Sequence, residues 1–127
     1  MEEVLLRCLI PHRLYPILLR MKSTVQNDPV LRFFKASVKR ALGTHLRQVL
    51  LFGSRARGDA TSESDYDLLV VVDKVDRNVV RGIDAVAGKA LLDHGAVLSA
   101  FPIAEEDRAR RKYSPLLINV AREGVAV

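Results

Sequence analysis

Helical and extended segments alternate along this chain, and that alternation predicts an α/β or α+β fold, a sheet with helices packed on it. Three observations support this. Apolar runs of strand length occur at Val49-Leu50-Leu51-Phe52, at Leu68-Leu69-Val70-Val71-Val72 and over residues 96–103. Segments with apolar residues at helical spacing lie between and around those runs. The helical segments also carry start and stop residues at their ends.

Residues 1–27 read as an N-terminal extension, partly helical. Pro11 and Pro16 break any long helix there. Leu14, Ile17, Leu18 and Met21 recur at helical spacing, so one short amphipathic helix is expected, packed on the core or serving a homodimer contact. Asp28-Pro29 is a helix start, with an N-cap carboxylate followed by proline at the first helical position. Leu31, Phe34, Val38, Ala41 and Leu42 keep to one face of that helix, and Gly43 supplies its stop. Residues 47–52 form a strand whose continuous apolar run predicts burial on both faces. Residues 53–64 form a turn with at most a short helix, and 65–72 the second strand. From about 76 to 94, Val79, Val80, Ile83, Val86, Ala87, Ala90 and Leu91 make one apolar helical stripe, ended by Gly95. The third strand spans 96–103, and 104–112 is a charged short helix or loop. Ser114-Pro115 repeats the cap-plus-proline start, and 116–123 is a final helix stopped by Gly124.

Length and composition narrow the function classes. A chain of 127 residues fits one domain with a modest core. No apolar stretch reaches the roughly 18 residues of a membrane span. Glu2, Glu3 and Arg7 argue against a secretory leader, so a cytoplasmic protein is expected. The single cysteine, Cys8, excludes an internal disulfide and a thiolate metal cluster. Lys and Arg outnumber Asp and Glu by 20 to 15, which favours anionic partners such as nucleotides, nucleic acid or an acidic protein surface. Arg108-Ala109-Arg110-Arg111-Lys112 is the nearest thing to a basic block. Runs of this kind are more often a solvated helix face than a nucleic-acid patch. His12, His45 and His94 are scattered without metal-ligand spacing.

The chemistry concentrates in Leu51-Phe52-Gly53-Ser54-Arg55-Ala56-Arg57-Gly58 and Ser64-Asp65-Tyr66-Asp67. Residues two apart in a strand share a face. Asp65 and Asp67 are therefore expected side by side, with Tyr66 facing the core. Two carboxylates held this close repel unless a cation sits between them. Magnesium suits such a pair, being bound by one or two carboxylates plus substrate phosphates. Gly53 permits close backbone approach to a ligand, and Ser54 offers a hydroxyl and a backbone N–H. Arg55 and Arg57 are candidates for charge-assisted bonds to phosphate oxygens. A phosphate-holding turn facing two metal-binding carboxylates is a site for a nucleoside triphosphate.

Gly53-Ser54, ten intervening residues and then Asp65-x-Asp67, set between two apolar strands, resembles the signature of the minimal nucleotidyltransferases of the DNA polymerase beta superfamily. The resemblance covers residues 28–127, including the late Tyr113-Ser114-Pro115 and Arg122-Glu123-Gly124, and leaves 1–27 outside. It implies an α+β, two-layer nucleotidyltransferase fold, a small mixed sheet flanked by helices. It also implies binding of an NTP, with ATP expected, together with two magnesium ions. A nucleoside monophosphate would pass to a hydroxyl, with release of pyrophosphate. By the same resemblance, Gly53 and Ser54 hold phosphates, and Asp65 and Asp67 are the catalytic metal ligands. Small members of the family often pair with a HEPN-domain toxin, which they neutralise, in some cases by adding AMP to a tyrosine.

The chain departs from the family at one point. Active members usually carry a third carboxylate on the next strand. Residues 96–103 contain no Asp or Glu, and Ser99 is the polar side chain at their centre. Glu105, Glu106 and Asp107 follow. They would serve only by folding back, and the first turn of a short helix is the more natural place for them. Two readings therefore stand: a working nucleotidyltransferase, or a catalytically weak antitoxin that acts by binding. A nucleic-acid-binding module is a third, resting on the basic run alone.

Overall fold

The computed structural model describes residues 25–127. The helix expected across Leu14, Ile17, Leu18 and Met21, together with Cys8 and His12, lies outside the described residues. In the rest, the elements run α1 (Pro29–Leu42), a short 3-10 turn (Gly43–His45), β1 (Leu46–Phe52), α2 (Ser54–Arg57), β2 (Tyr66–Val72), α3 (Arg77–His94), β3 (Leu98–Ala104), α4 (Glu105–Arg110), α5 (Pro115–Glu123) and β4 (Val125–Ala126).

The helix starts are built by their capping side chains. Asp28 accepts hydrogen bonds from the N–H groups of Val30 and Leu31 at 2.8 and 3.3 Å. Asp76 does the same for Val79 at 2.8 Å, and Ser114 for Leu117 at 3.3 Å. Each satisfies amide donors that the first helical turn leaves without partners. The stripes are narrower than the sequence suggests. Leu31, Phe34, Val38 and Leu42 are buried on α1, but Ala41 is exposed. On α3, Val79, Ile83, Val86 and Ala90 are buried, whereas Val80 and Leu91 are exposed. These outliers are one residue from a core position, which turns them about 100° round the helix and off the packed face.

The four strands form one mixed sheet in the order β3-β2-β1-β4. β1 is antiparallel to β2 and β4. β2 and β3 are parallel and joined by α3, since a parallel pair needs a crossover of this length. Side chains alternate between two cores. Val49, Leu51, Tyr66, Leu68, Val70 and Val72 pack with α1 and α3. Leu50, Phe52, Leu69 and Val71 pack with Leu117 and Val120 of α5 on the other face. The central strands β1 and β2 are thus covered on both sides, as their unbroken apolar runs predict. β4 was not expected. Two residues are too few to carry a periodic signal, and their pairing is decided by α5 delivering the chain to the free edge of β1. No described helix is long and apolar enough to cross a membrane.

One polar link joins the helical layer to the sheet. The buried Tyr66 hydroxyl donates to Oδ2 of Asp28 at 2.8 Å. Burial first, and then this bond, push the phenol up to about 12, so it stays a donor. Tyr66→Phe removes a hydrogen bond to a charged acceptor and is expected to lower stability by about 1.5–3 kcal/mol. Urea unfolding monitored by circular dichroism checks this.

Candidate functional site

β1 ends in the turn that begins the site. Gly53 adopts φ 75° and ψ −161°, a conformation that side-chain-bearing residues rarely take. A Cβ at this position would collide with Oδ2 of Asp67, so the absent side chain is what lets the Asp67 carboxylate lie against the turn. The Gly53 carbonyl accepts from the N–H groups of Ala56 and Arg57, both at 3.1 Å, which starts α2. Gly58, left-handed at φ 84°, ends it.

The carboxylates come from the start of β2. Phe52 pairs with Asp67 across the antiparallel β1–β2 ladder, which brings the turn and the second aspartate to the same end of the sheet. Asp65 lies just before the strand and is exposed; Asp67 is half-buried. Tyr66 between them is turned into the α1–α3 core, so the aspartates belong to the opposite, α5-covered side. The Asp67 carboxyl is held above its ordinary pKa. Burial is the largest cause, followed by the negative charges of Asp65 and Glu123, with Arg57 opposing.

The structure separates the two arginines. Arg55 is turned to the Tyr66 side. Its guanidinium lies 3.9 Å from the Tyr66 ring centroid and donates to the backbone carbonyls of Ser64 and Ser62 at 2.9 and 3.3 Å. It thereby folds the connection from α2 back to Asp65. A cavity of about 210 Å³ on this side is lined by Asp28, Leu31, Arg55 and Gly58 among others, and by neither Asp65 nor Asp67. Arg57 stays with the carboxylates. It pairs with Glu123 Oε2 at 3.0 Å and Asp59 Oδ2 at 3.2 Å. Glu123, on the last turn of α5, also accepts the Gly53 N–H at 2.9 Å. The sequence gives no local sign of Glu123, which is 70 residues from Gly53 and stands beside a helix-stopping glycine.

On the neighbouring strand, Ser99 pairs with Asp67 in the parallel β2–β3 register. It occupies the place where the resemblance calls for a carboxylate. Glu105, Glu106 and Asp107 do not fold back to replace it. They follow Ala104, which pairs with Val72 at the far end of β2, about 16 Å from Asp67 at roughly 3.3 Å per residue. Glu105 pairs there with Arg47 at 3.5 Å. The basic run beyond is tied into the same end: Arg108 donates to Gln48 at 2.9 Å, and Arg110 pairs with Asp107. His45 bonds Asp73 at 2.9 Å at the far end of β2, and the His94 ring lies against Phe33 of α1, with centroids 4.9 Å apart.

Comparison with known families matches residues 31–114 to the nucleotidyltransferase domain. The chain belongs to that family. The matched stretch contains Gly53, Ser54, Asp65 and Asp67 and stops before α5. Among relatives, a Methanocaldococcus jannaschii protein named "Putative protein adenylyltransferase MJ0604" is 38% identical over 82 residues, spanning 65% of this chain and 78% of that protein. The fold is shared with the crystal structure of a toxin–antitoxin with AMP-PNP, at TM-score 0.52 and 21% identity, covering 73% of this chain and 68% of that one. A mutant of the toxin–antitoxin MntA-HpeT gives TM-score 0.51 and 19% identity, covering 72% and 68%.

The donor set of this nucleotidyltransferase domain suits magnesium. Among the described residues, no three His, Cys, Asp or Glu side chains form a cage that would hold a metal unaided. A two-carboxylate site that shares its ion with phosphates needs no cage. Burial and the charges of Asp65 and Glu123 disfavour the ionised form of Asp67, and a cation at the carboxylate would relieve both.

This has a measurable consequence. A carboxyl whose pKa is higher folded than unfolded destabilises the fold once it ionises. Asp67→Asn is therefore expected to raise the melting temperature of the ligand-free protein at pH 7. The difference from wild type should vanish at low pH, where Asp67 is protonated in both states. It should grow as pH rises from the ordinary carboxylate value through the raised one. Melting curves of both proteins across pH 3–8 test this.

Proposed function

We propose that this domain binds magnesium–ATP between Gly53-Ser54 and Asp65/Asp67 and transfers AMP to a hydroxyl of a partner protein. The observation that carries the reading is the contact of the Asp67 carboxylate with the side-chain-free face of Gly53. It sets a cation-seeking group directly against a turn able to receive phosphate. The adenylyltransferase name of the Methanocaldococcus jannaschii relative and the toxin–antitoxin with AMP-PNP among the structural neighbours support the same class.

In this reading the Ser54 hydroxyl and backbone N–H hold phosphate oxygens. Arg57, the guanidinium beside the carboxylates, adds positive charge. Arg55 contributes through the loop, fixing Ser62 and Ser64 and so the approach to Asp65. Two magnesium ions, when bound by Asp65 and Asp67, would stabilise the attacking and leaving oxygens of an in-line displacement. The acceptor hydroxyl oxygen bonds to the α-phosphorus as its proton passes to solvent water, the bond to the oxygen bridging to the β-phosphate breaks, and pyrophosphate leaves. The protein's part is positioning and charge.

Ser99 beside Asp67 favours a second reading. A hydroxyl is a weak metal ligand next to a carboxylate, so nucleotide binding would persist with slow transfer. The chain would then act as an antitoxin that neutralises a HEPN-type toxin by binding it.

Incubation with α-labelled ATP and magnesium, with and without the candidate partner, separates the two. Label on the partner is the expected outcome. ATP binding without label on either protein selects the second reading. Asp65→Asn/Asp67→Asn is expected to abolish magnesium-dependent ATP binding, and unchanged binding would remove the site assignment.

A further inference from the structure

The last turn of α5 reaches back to the nucleotide turn through one side chain. Glu123 Oε1 accepts the Gly53 N–H at 2.9 Å, and its Oε2 accepts from Arg57 at 3.0 Å. The Glu123 side chain is only 20% exposed. Its helix is fixed on both sides. Leu117 and Val120 are buried against Leu50, Phe52, Leu69 and Val71, and immediately after it the chain enters β4 and pairs with Leu50 and Leu51 of β1. Gly53 is thus gripped from two directions, with the Asp67 carboxylate against its Cα and the Glu123 carboxylate on its N–H.

We propose that Glu123 is a positioning residue for the nucleotide turn: its carboxylate fixes the Gly53 peptide and the Arg57 guanidinium in the orientation that phosphate binding requires. This rests on the nucleotide reading of the site. The physical reason lies in Gly53 itself. Its backbone freedom allows the turn, yet leaves the unbound turn free to take other conformations. A charged acceptor on its N–H selects one of them, and bonds of this kind are stronger than neutral ones. The same carboxylate keeps Arg57 beside Asp67 instead of extended into solvent. Its negative charge also reaches Asp67, so removing it would take an anion from the cation-binding end of the site.

A competing role for the same contact is a plug, with the carboxylate occupying a phosphate's place until ATP displaces it. The packing argues against this. A plug must swing aside, whereas both oxygens of the largely covered Glu123 carboxylate are engaged, one by the Gly53 N–H and one by Arg57, on a helix that itself cannot withdraw.

The test compares Glu123→Ala and Glu123→Gln with wild type, each first shown to be folded by circular dichroism and thermal melting. Two quantities are measured: hydrogen exchange at the Gly53 amide without nucleotide, and magnesium–ATP dissociation constant, with KM and kcat where transfer is detected. In Glu123→Ala, Gly53 exchange should accelerate at least tenfold and magnesium–ATP binding weaken by about tenfold or more, the size of one lost charge-assisted bond. KM should carry most of the loss. Glu123→Gln keeps an acceptor for the Gly53 N–H and should recover most of the amide protection and part of the affinity. Fast Gly53 exchange with unchanged ATP affinity would overturn the proposal and leave Glu123 a purely structural tie. Tighter ATP binding in either variant would overturn it in favour of the plug. Absence of magnesium–ATP binding by wild type itself would remove the nucleotide reading, and the proposal with it, even with the Gly53–Glu123 bond seen in the exchange data.

Discussion

Two aspartates of like charge, one of them half-buried, are held at the open end of a strand whose other side chains are all in the core. Asp67 cannot move away from this crowding. Its backbone is fixed between β1 and β3, and the following residues, Leu68 to Val72, are buried. Burial and the neighbouring charges of Asp65 and Glu123 hold its proton affinity up. An apolar sheet thus maintains an electrostatic conflict at one end, of the kind that a bound cation would resolve. The remaining features of the site are arranged around that conflict. Gly53 lacks a side chain where the carboxylate must lie, Arg57 supplies partial compensation, and α5 brings a further acid to the turn.

The two faces of the sheet divide the labour. On the α1–α3 face, Asp28 caps a helix and receives the Tyr66 hydroxyl, Arg55 lies on the Tyr66 ring, and its guanidinium holds the carbonyls of Ser62 and Ser64. This line of contacts runs from a helix cap to the residue before Asp65 and gives the loop between turn and carboxylates a defined path. On the α5 face lie the carboxylates, Arg57 and Glu123. Alternation of side chains along β2 puts Tyr66 in one set and Asp67 in the other, so a single strand anchors the support and presents the chemistry.

Much of this was legible in the residues. Caps at Asp28 and Ser114, the unbroken apolar runs of β1 and β2, and the spacing that brings Asp67 against Gly53 are local signals, and each corresponds to an observed feature. What was not legible depends on contacts between distant parts of the chain. Arg55 and Arg57 look equivalent in sequence, yet two positions apart on a four-residue helix they leave on different sides. Glu123 reads as an ordinary helix-end acid until α5 is laid on the sheet. The place of Ser99 beside Asp67, and the removal of Glu105, Glu106 and Asp107 to the far end, follow from the β2–β3 register, which no short window of sequence contains. The two-residue β4 exists only because β1 offers it an edge.

The central claim is that the turn and the carboxylates form one site, completed by a cation and a triphosphate together. Thermal melting with magnesium alone, ATP alone in the presence of chelator, and both together tests this most directly. At a hundredfold excess over its dissociation constant, a ligand specific to the native state stabilises it by about 2.7 kcal/mol, or roughly ten degrees for a chain of this size. The account predicts a rise of that order only when magnesium and ATP are both present, and a much smaller effect from either alone. A shift produced equally by ATP in chelator, or no shift with the two combined, would contradict it.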